Sequence, residues 1–407
     1  MKLKMFLPLI FLCGFNISHA QVKILFDATK AQTAGNADWV IDADLHNMNW
    51  SPNACVNCGA GATNSNAQRF PTAAQSGINA STPESYWTGA LSSWGIDCAK
   101  KGYIVETLPY NGAITYGMSS NLQDLSNYKV FIIDEPNILF TTSEKNAIMN
   151  FVKNGGGLFM ISDHDVSDRN GDGADSPTIW NNLMTTNTVQ ANGFGLSFDL
   201  QNFSQTSSNV IAAANDSIIH GPMGNVTQVK WSNGTSMTLN TAQNASVKGV
   251  VFKTGASAGT NSVLCAYGRF YNGKFAAIGD SSPTDDGTGD PNDVLYDGYI
   301  TDAAGNHQRL LMNITIWLAE TGNMASGIGA NEVQAIKYGV YPNPAGDVLS
   351  INAGANAGIV GIINLTGQEV ATVDNDSSAD ISALLPGIYF AKIATSEKVL
   401  YIKFVKN

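Results

Sequence analysis

The run Ser162-Asp163-His164-Asp165-Val166-Ser167-Asp168-Arg169-Asn170-Gly171-Asp172-Gly173-Ala174-Asp175 is the densest concentration of reactive side chains in this 407-residue chain. Asp163 and His164 adjoin, and a histidine beside a carboxylate can serve as general base or metal ligand with its tautomer fixed. Asp168, Asn170 and Asp172 occupy alternate positions, followed by Gly173 and Asp175. That is the front half of a calcium loop, in which oxygens converge on a hard cation and glycine permits the sharp turn. Ile179 stands where the twelfth-position Glu would be, so a complete EF-hand is excluded. The expectation is calcium or another divalent cation on Asp168, Asn170, Asp172 and Asp175, weighed against an Asx-turn loop whose carboxylates cap the backbone.

A second constellation is Gly279-Asp280-Ser281-Ser282-Pro283, trailed by Asp285, Asp286, Asp290 and Asp293. Asp280 facing Asp163 would give two carboxylates able to divide acid and base roles, as in glycoside hydrolysis. Ser281 or Ser282 is a candidate nucleophile, although no Gly-x-Ser-x-Gly elbow surrounds either. The trailing aspartates read as a solvated loop. Asp42, Asp44 and His46 fall on one side of an extended segment, as cation ligands or a polar edge would.

These residues need a scaffold. Four apolar runs end in acid: Val22 to Phe26 into Asp27, Val130 to Ile133 into Asp134-Glu135, Leu158 to Ile161 into Asp163, and Phe275 to Ile278 into Asp280. In open α/β sheets the ligand lies outside the carboxyl ends of the strands, so the repeated ending sketches a site. The clearest βαβ unit spans Lys129 to Asp163, with a capping box at Thr141 to Glu144 and Gly155 to Gly157 closing the helix. A closing helix is predicted from Asn306 to Glu320. Residues 190 to 270 read as β-structure and loops, and residues 34 to 100 carry Trp39, Trp50, Trp87 and Trp94, which can wall a pocket or pack.

Residues 1 to 20 read as a secretory leader, with Lys2 and Lys4, an apolar stretch to Phe15, and Ser18-His19-Ala20 as a cleavage site before Gln21. Leu12 before Cys13 favours soluble export over a lipid anchor, and no later stretch is apolar enough to span a bilayer. The formal net charge is −11, and the leader removes two lysines and no acids. That balance excludes nucleic acid as a partner. The exported chain keeps Cys55, Cys58, Cys98 and Cys265, an even set that predicts one or two disulfides, with Cys55-x-x-Cys58 as half a zinc site the alternative.

From Val333 the pattern changes to short strands. Val340-Tyr341-Pro342-Asn343-Pro344, Leu365-Thr366-Gly367, Leu385-Pro386-Gly387-Ile388-Tyr389 and a last strand ending Lys403-Phe404-Val405-Lys406 arrive in that order. This stretch resembles the type A C-terminal sorting domain of the Bacteroidetes type IX secretion system. The resemblance implies an Ig-like β-sandwich read by the type IX secretion machinery, with export through the periplasm and release or attachment at the cell surface. A small carbohydrate-binding β-module is the alternative for these residues.

The main domain, through Asn154-Gly155-Gly156-Gly157-Leu158 and Gly279-Asp280-Ser281 with the following helix, resembles the non-amidotransferase branches of the class I glutamine amidotransferase-like superfamily. No Gly-x-Cys-x-Gly elbow follows the strand, so glutaminase chemistry is not implied. What the resemblance implies is an α/β fold with a flavodoxin-like parallel sheet and helices on both faces. The expected organisation is leader 1–20, α/β domain 21–322, linker 323–332 and sorting domain 333–407. The expected activity is a cation-dependent hydrolase of an extracellular polymer or ester, glycan preferred, with Asp163, His164, Asp280 and Ser281 as catalytic candidates. The rival is a non-catalytic, calcium-stabilised glycan-binding or cell-surface protein; a protease would need a paired Ser or Cys nucleophile.

Overall fold

The computed structural model describes residues 21–34, 37, 39–41, 74–87, 89–288, 298–300, 302, 306–320, 339–341, 343–352, 358–365, 367–372, 378–394 and 399–407. The leader, Asp42, Asp44, His46, Trp50, Cys55, Cys58, Asp290, Asp293 and the linker 323–332 lie outside the described residues. The chain divides into two units, residues 1–324 and 325–407.

In the first unit the strands are β1 (Lys23–Asp27), β2 (Ile104–Leu108), β3 (Val130–Ile133), β4 (Gly157–Ile161), β5 (Leu196–Phe198), β6 (Phe203–Ser207), β7 (His220–Gly221), β8 (Gly224–Asn225), β9 (Val229–Gly234), β10 (Met237–Leu239), β11 (Lys248–Phe252), β12 (Val263–Phe270) and β13 (Gly273–Ile278). The helices are α1 (Ser92–Lys100), α2 (Thr142–Lys153), α3 (Ser176–Thr186) and α4 (Asn306–Ala319). One large sheet runs β2-β1-β3-β4-β13-β12-β10-β5, with β11 also paired to β12. Strands β2, β1, β3, β4 and β13 are parallel; β12, β10, β5 and β11 are antiparallel.

The parallel half is covered on both faces, which is why its strands are continuously apolar. Ile24, Phe26, Val130, Ile132, Phe159 and Ile161 alternate into a core shared with Trp94 of α1 and with Leu310, Leu311 and Ile314 of α4. Leu25, Phe131, Ile133, Leu158 and Met160 turn the other way, onto Ile148 and Phe151 of α2 and Ile179 and Trp180 of α3. The period-two alternation of a strand therefore feeds two cores at once. Trp94 meets Phe26 and Phe159 edge to face, at centroid distances of 5.2 and 5.6 Å.

The local signals read in the sequence explain the helix ends. Thr141 accepts from the Glu144 backbone N–H while the Glu144 side chain accepts from that of Thr141, and this reciprocal cap starts α2. Gly155, with φ of 111°, takes the left-handed exit after it. The antiparallel extension departs from the expected all-parallel sheet, and its cause is the joint after β12. Only Tyr271 and Asn272 separate β12 from β13, and a two-residue loop reverses the chain where a parallel pair would need a crossover.

The cysteine expectation needs correction. Cys98 and Cys265 are free and buried, and the Cys98 Sγ lies 3.9 Å from the Met312 Sδ. Inside an apolar core they pack as small hydrophobes, so no framework drawing on all four cysteines forms. Among the described residues no helix is long and apolar enough to cross a membrane.

The second unit has two antiparallel sheets. One is β14 (Gly339–Tyr341), β15 (Val348–Asn352) and β18 (Ser378–Asp380); the other runs β17 (Glu369–Ala371), β16 (Gly358–Ile363), β19 (Gly387–Ala394) and β20 (Val399–Lys406). Leu349 and Ala379 from the first sheet share a core with Ile362, Ala391 and Phe404 from the second. The unit is thus a two-sheet β-sandwich.

Candidate functional site

The carboxyl ends of β3, β4 and β13 bring four acids together. Beyond β3, Glu135 adopts φ of +32° and donates its backbone N–H to the Ile161 carbonyl at 3.1 Å. A left-handed non-glycine residue costs about 1 kcal/mol or more and is typical of functional turns. The Glu135 carboxylate is fully buried. It accepts from Ser281 Oγ at 3.0 Å and pairs with Arg169 Nε at 2.5 Å. The same guanidinium reaches Asp163 Oδ2 through Nη2 at 3.3 Å. Asp134 accepts from Thr284 Oγ1 at 2.7 Å through Oδ2, while its buried Oδ1 has no partner among the described residues.

Asp280 is placed by glycine. A Cβ on Gly279 would lie 2.1 Å from the Thr235 carbonyl oxygen, so only glycine allows the approach that aims Asp280 inward. Asp280 Oδ1 then accepts from the Ser282 N–H at 2.9 Å, and Oδ2 accepts from the Ser232 N–H.

Four carboxyl groups with one guanidinium cannot all be ionised out of water. Burial, then the charge of Glu135, pushes Asp163 well above the usual carboxylate range, with Arg169 opposing. Burial does the same to Asp134, reinforced by Glu135, Asp280 and Asp285 against the Thr284 hydrogen bond. Burial raises Asp280 to about 7 although two backbone N–H groups favour its charged form. The cluster therefore sets three carboxyls raised by burial beside an arginine-paired carboxylate, a contrast that can separate acid from base roles.

Of the other sequence candidates, His164 places Nε2 4.0 Å from Asp163 Oδ2. Its Nδ1 lies 2.5 Å from the Asp165 carbonyl and 3.0 Å from Asn202 Nδ2; protonated it donates to the carbonyl, and unprotonated it accepts from the amide instead. The side chains of His164 and Arg169 are 20% and 24% exposed, whereas those of Asp163 and Glu135 are 3% and 0% exposed, so the first two are the members that reach solvent. Ser281 is brought to Glu135 but is buried. Asp27 stands apart: it accepts from Thr29 and Gln32, and burial raises it to about 6 against the pull of Lys30. His307 spends Nδ1 on the Gly298 carbonyl and Nε2 on the Lys230 N–H, which fixes it as a structural brace.

The oxygens of the loop proposed for a cation face its own backbone. Asp168 accepts from the Asp172 and Gly173 N–H groups, Asn170 Oδ1 from Asp172 N–H, and Asp172 Oδ1 from Ala174 N–H. Asp175 caps α3 through Thr178 N–H and also accepts from Val166 N–H. Among the described residues no group of three or more His, Cys, Asp or Glu side chains is arranged to hold a metal ion.

The sequence marks Glu135 only as a strand-end acid and gives Arg169 no role; in the fold they are the hub. One signal was readable, since Arg169 is the sole cation among five acids between Asp163 and Asp175. Glu135 gave only its strand-end position, because its centrality comes from a backbone turn and from Arg169 and Ser281, both over 30 residues away.

Residues 339–407 match the family described as the secretion system C-terminal sorting domain. That match indicates a secreted or cell-surface protein that engages the type IX secretion machinery. No curated protein matches the chain in sequence. Among solved structures, "mmIFT52 N-terminal domain" is 12% identical with a TM-score of 0.43, covering 75% of this chain and 100% of that one. The cytoplasmic protein STM3548 from Salmonella typhimurium is 13% identical with a TM-score of 0.39, covering 72% and 98%. A β-galactosidase from Rahnella sp. R3 is 9% identical with a TM-score of 0.31, covering 77% and 37%. Likenesses this weak carry no argument about activity.

Proposed function

We propose that this secreted protein is a hydrolase of an extracellular polymer or ester, with a glycan as the preferred substrate, working by carboxyl acid–base chemistry at the ends of β3, β4 and β13. The observation that carries this reading is the buried set Asp134, Glu135, Asp163 and Asp280, in which Glu135 and Asp163 share one guanidinium, that of Arg169. Asp163, raised by burial and by Glu135, donates a proton to the leaving oxygen. Glu135, paired with Arg169 and hydrogen-bonded to Ser281, accepts the proton of the nucleophile, Ser281 or water, as that oxygen bonds the carbon from which the protonated leaving oxygen departs. Substrate enters past His164 and Arg169, the part-exposed members. The strand order β2-β1-β3-β4-β13 supports reading the parallel half as flavodoxin-like.

The test is a panel of neutral polysaccharides and aryl esters offered to the wild-type chain and to Glu135→Gln, Asp163→Asn and Asp280→Asn, with circular dichroism to confirm folding. Turnover by wild type and its loss in folded Glu135→Gln and Asp163→Asn is expected. Undiminished turnover in both rejects this site. The near-complete burial of the carboxylates favours one rival, a non-catalytic glycan-binding surface protein, and binding without any turnover by wild type would select it.

A further inference from the structure

Away from the carboxyl cluster, a cleft of about 510 Å³ opens where the loop leaving β2 meets the first turns of α2. Its lining comes from residues 112–118, which follow β2, and from residues 141–150 at the start and along α2. Its chemistry differs from that of the cluster. Tyr116 presents a half-buried ring held edge to face on Phe151 at a centroid distance of 6.4 Å. Met118, half exposed, adds an apolar lip. Asn146 and Asn150 line the α2 side. Among the described residues, no hydrogen bond engages the Tyr116 hydroxyl or the Asn150 side-chain amide, so both are available to a ligand.

The charge of the cleft is already balanced. Glu144, its one acidic lining residue, pairs with Lys30 Nζ at 2.7 Å and closes the α2 capping box. An anion approaching the helix start would meet that carboxylate, and a cation would find it neutralised. An aromatic face, planar amides and a hydroxyl without net charge suit a ligand that stacks an apolar face and offers many hydroxyls. We propose that this cleft binds a neutral, hydroxyl-rich ligand, a sugar unit of an oligosaccharide, at a site separate from the carboxyl cluster and independent of whether that cluster hydrolyses anything.

The test is calorimetric titration of the full exported chain with maltohexaose, cellohexaose, laminarihexaose, xylohexaose and mannohexaose. Binding of at least one is expected with a dissociation constant on the order of 1 mM or tighter. Asn150→Ala and Tyr116→Phe keep the helix and the Phe151 contact while removing one polar group each. Each should weaken binding several-fold, and Tyr116→Ala should weaken it at least about tenfold. Asp163→Asn removes the proposed turnover from the measured heat, and the cleft variants made in that background should lose the same binding, which separates this site from the proposed active site. The idea is overturned if none of the five oligosaccharides binds, if inorganic phosphate binds in their place, or if Asp163→Asn abolishes binding that the cleft variants retain.

Discussion

Two acidic neighbourhoods that share the 163–175 stretch use the same side chain in opposite ways. In the loop from Asp168 to Asp175 every carboxylate accepts from backbone N–H groups of its own loop or of the α3 start. For Asp175 burial works to raise the carboxyl, but the bonds from Thr178 and Val166 outweigh it and the group lies below its ordinary range. In the strand-end cluster Asp134, Asp163 and Asp280 face other acids inside an apolar sheet end and are raised. Residue type is therefore not what makes an aspartate chemical. Local amides turn it into a cap, whereas burial among like charges turns it into a proton store.

The widest separation should come from removing the one cation that the cluster owns. Arg169→Ala leaves Glu135 and Asp163 facing each other in a buried site, and breaking such a pair costs about 3–5 kcal/mol. Urea unfolding at neutral pH measures it. A cost under about 1 kcal/mol at neutral pH would move the cluster into the same class as the loop.

Next in size is the pH dependence of stability, which should have opposite signs in the two regions. Asp280 rises from 3.8 to about 7 on folding, so the folded state holds a proton the unfolded chain has released. Its contribution is complete below the unfolded value and is lost as pH climbs through about 7. Asp163 and Asp134 act in the same direction. Between about pH 4 and 7 stability should fall as pH rises, and Asp280→Asn should remove up to about 1.4 kcal/mol per pH unit from that slope. An unchanged slope in Asp280→Asn would show that its proton is not held in the fold.

The contrast also explains what the sequence could and could not reveal. The four strand ends, the Thr141–Glu144 cap and the α4 helix were legible because each rests on local periodicity or a short-range bond. The Ser162–Asp175 run was legible as reactive and as two parts, but the choice between cation ligands and Asx-turn caps for Asp168 to Asp175 depends on which oxygens find amides. Asp163 lies inside the sheet end and Asp168 outside it, a difference of five residues that no composition records. The antiparallel half of the sheet hung on two residues, Tyr271 and Asn272, between runs that read equally well either way. The free state of Cys98 and Cys265 follows from burial in the core, which their number and spacing do not express.

A smaller effect tests the loop side. Asp175→Ala removes the α3 N-cap and should cost about 1 kcal/mol at neutral pH. Because this carboxyl is lowered in the fold, its contribution is present above the ordinary value of 3.8 and is lost only as pH falls below it. Denaturation curves at about pH 7 and about pH 5 should therefore show the same cost. A cost that grows from pH 5 to 7 would place Asp175 with the cluster.

The smallest expected effect belongs to cation removal. With the oxygens of Asp168, Asn170, Asp172 and Asp175 directed at the amides of their own loop and of α3, a divalent ion would have to displace backbone bonds each worth about 1 kcal/mol before gaining ligands. Chelation by EDTA, followed by calcium or magnesium, should therefore leave the thermal midpoint within about a degree of its starting value. A rise of several degrees on adding calcium, lost in Asp168→Ala and kept in Asp280→Asn, would show instead that the loop gives up its caps for a cation. The two neighbourhoods would then differ in which charge neutralises them, guanidinium in one and metal in the other.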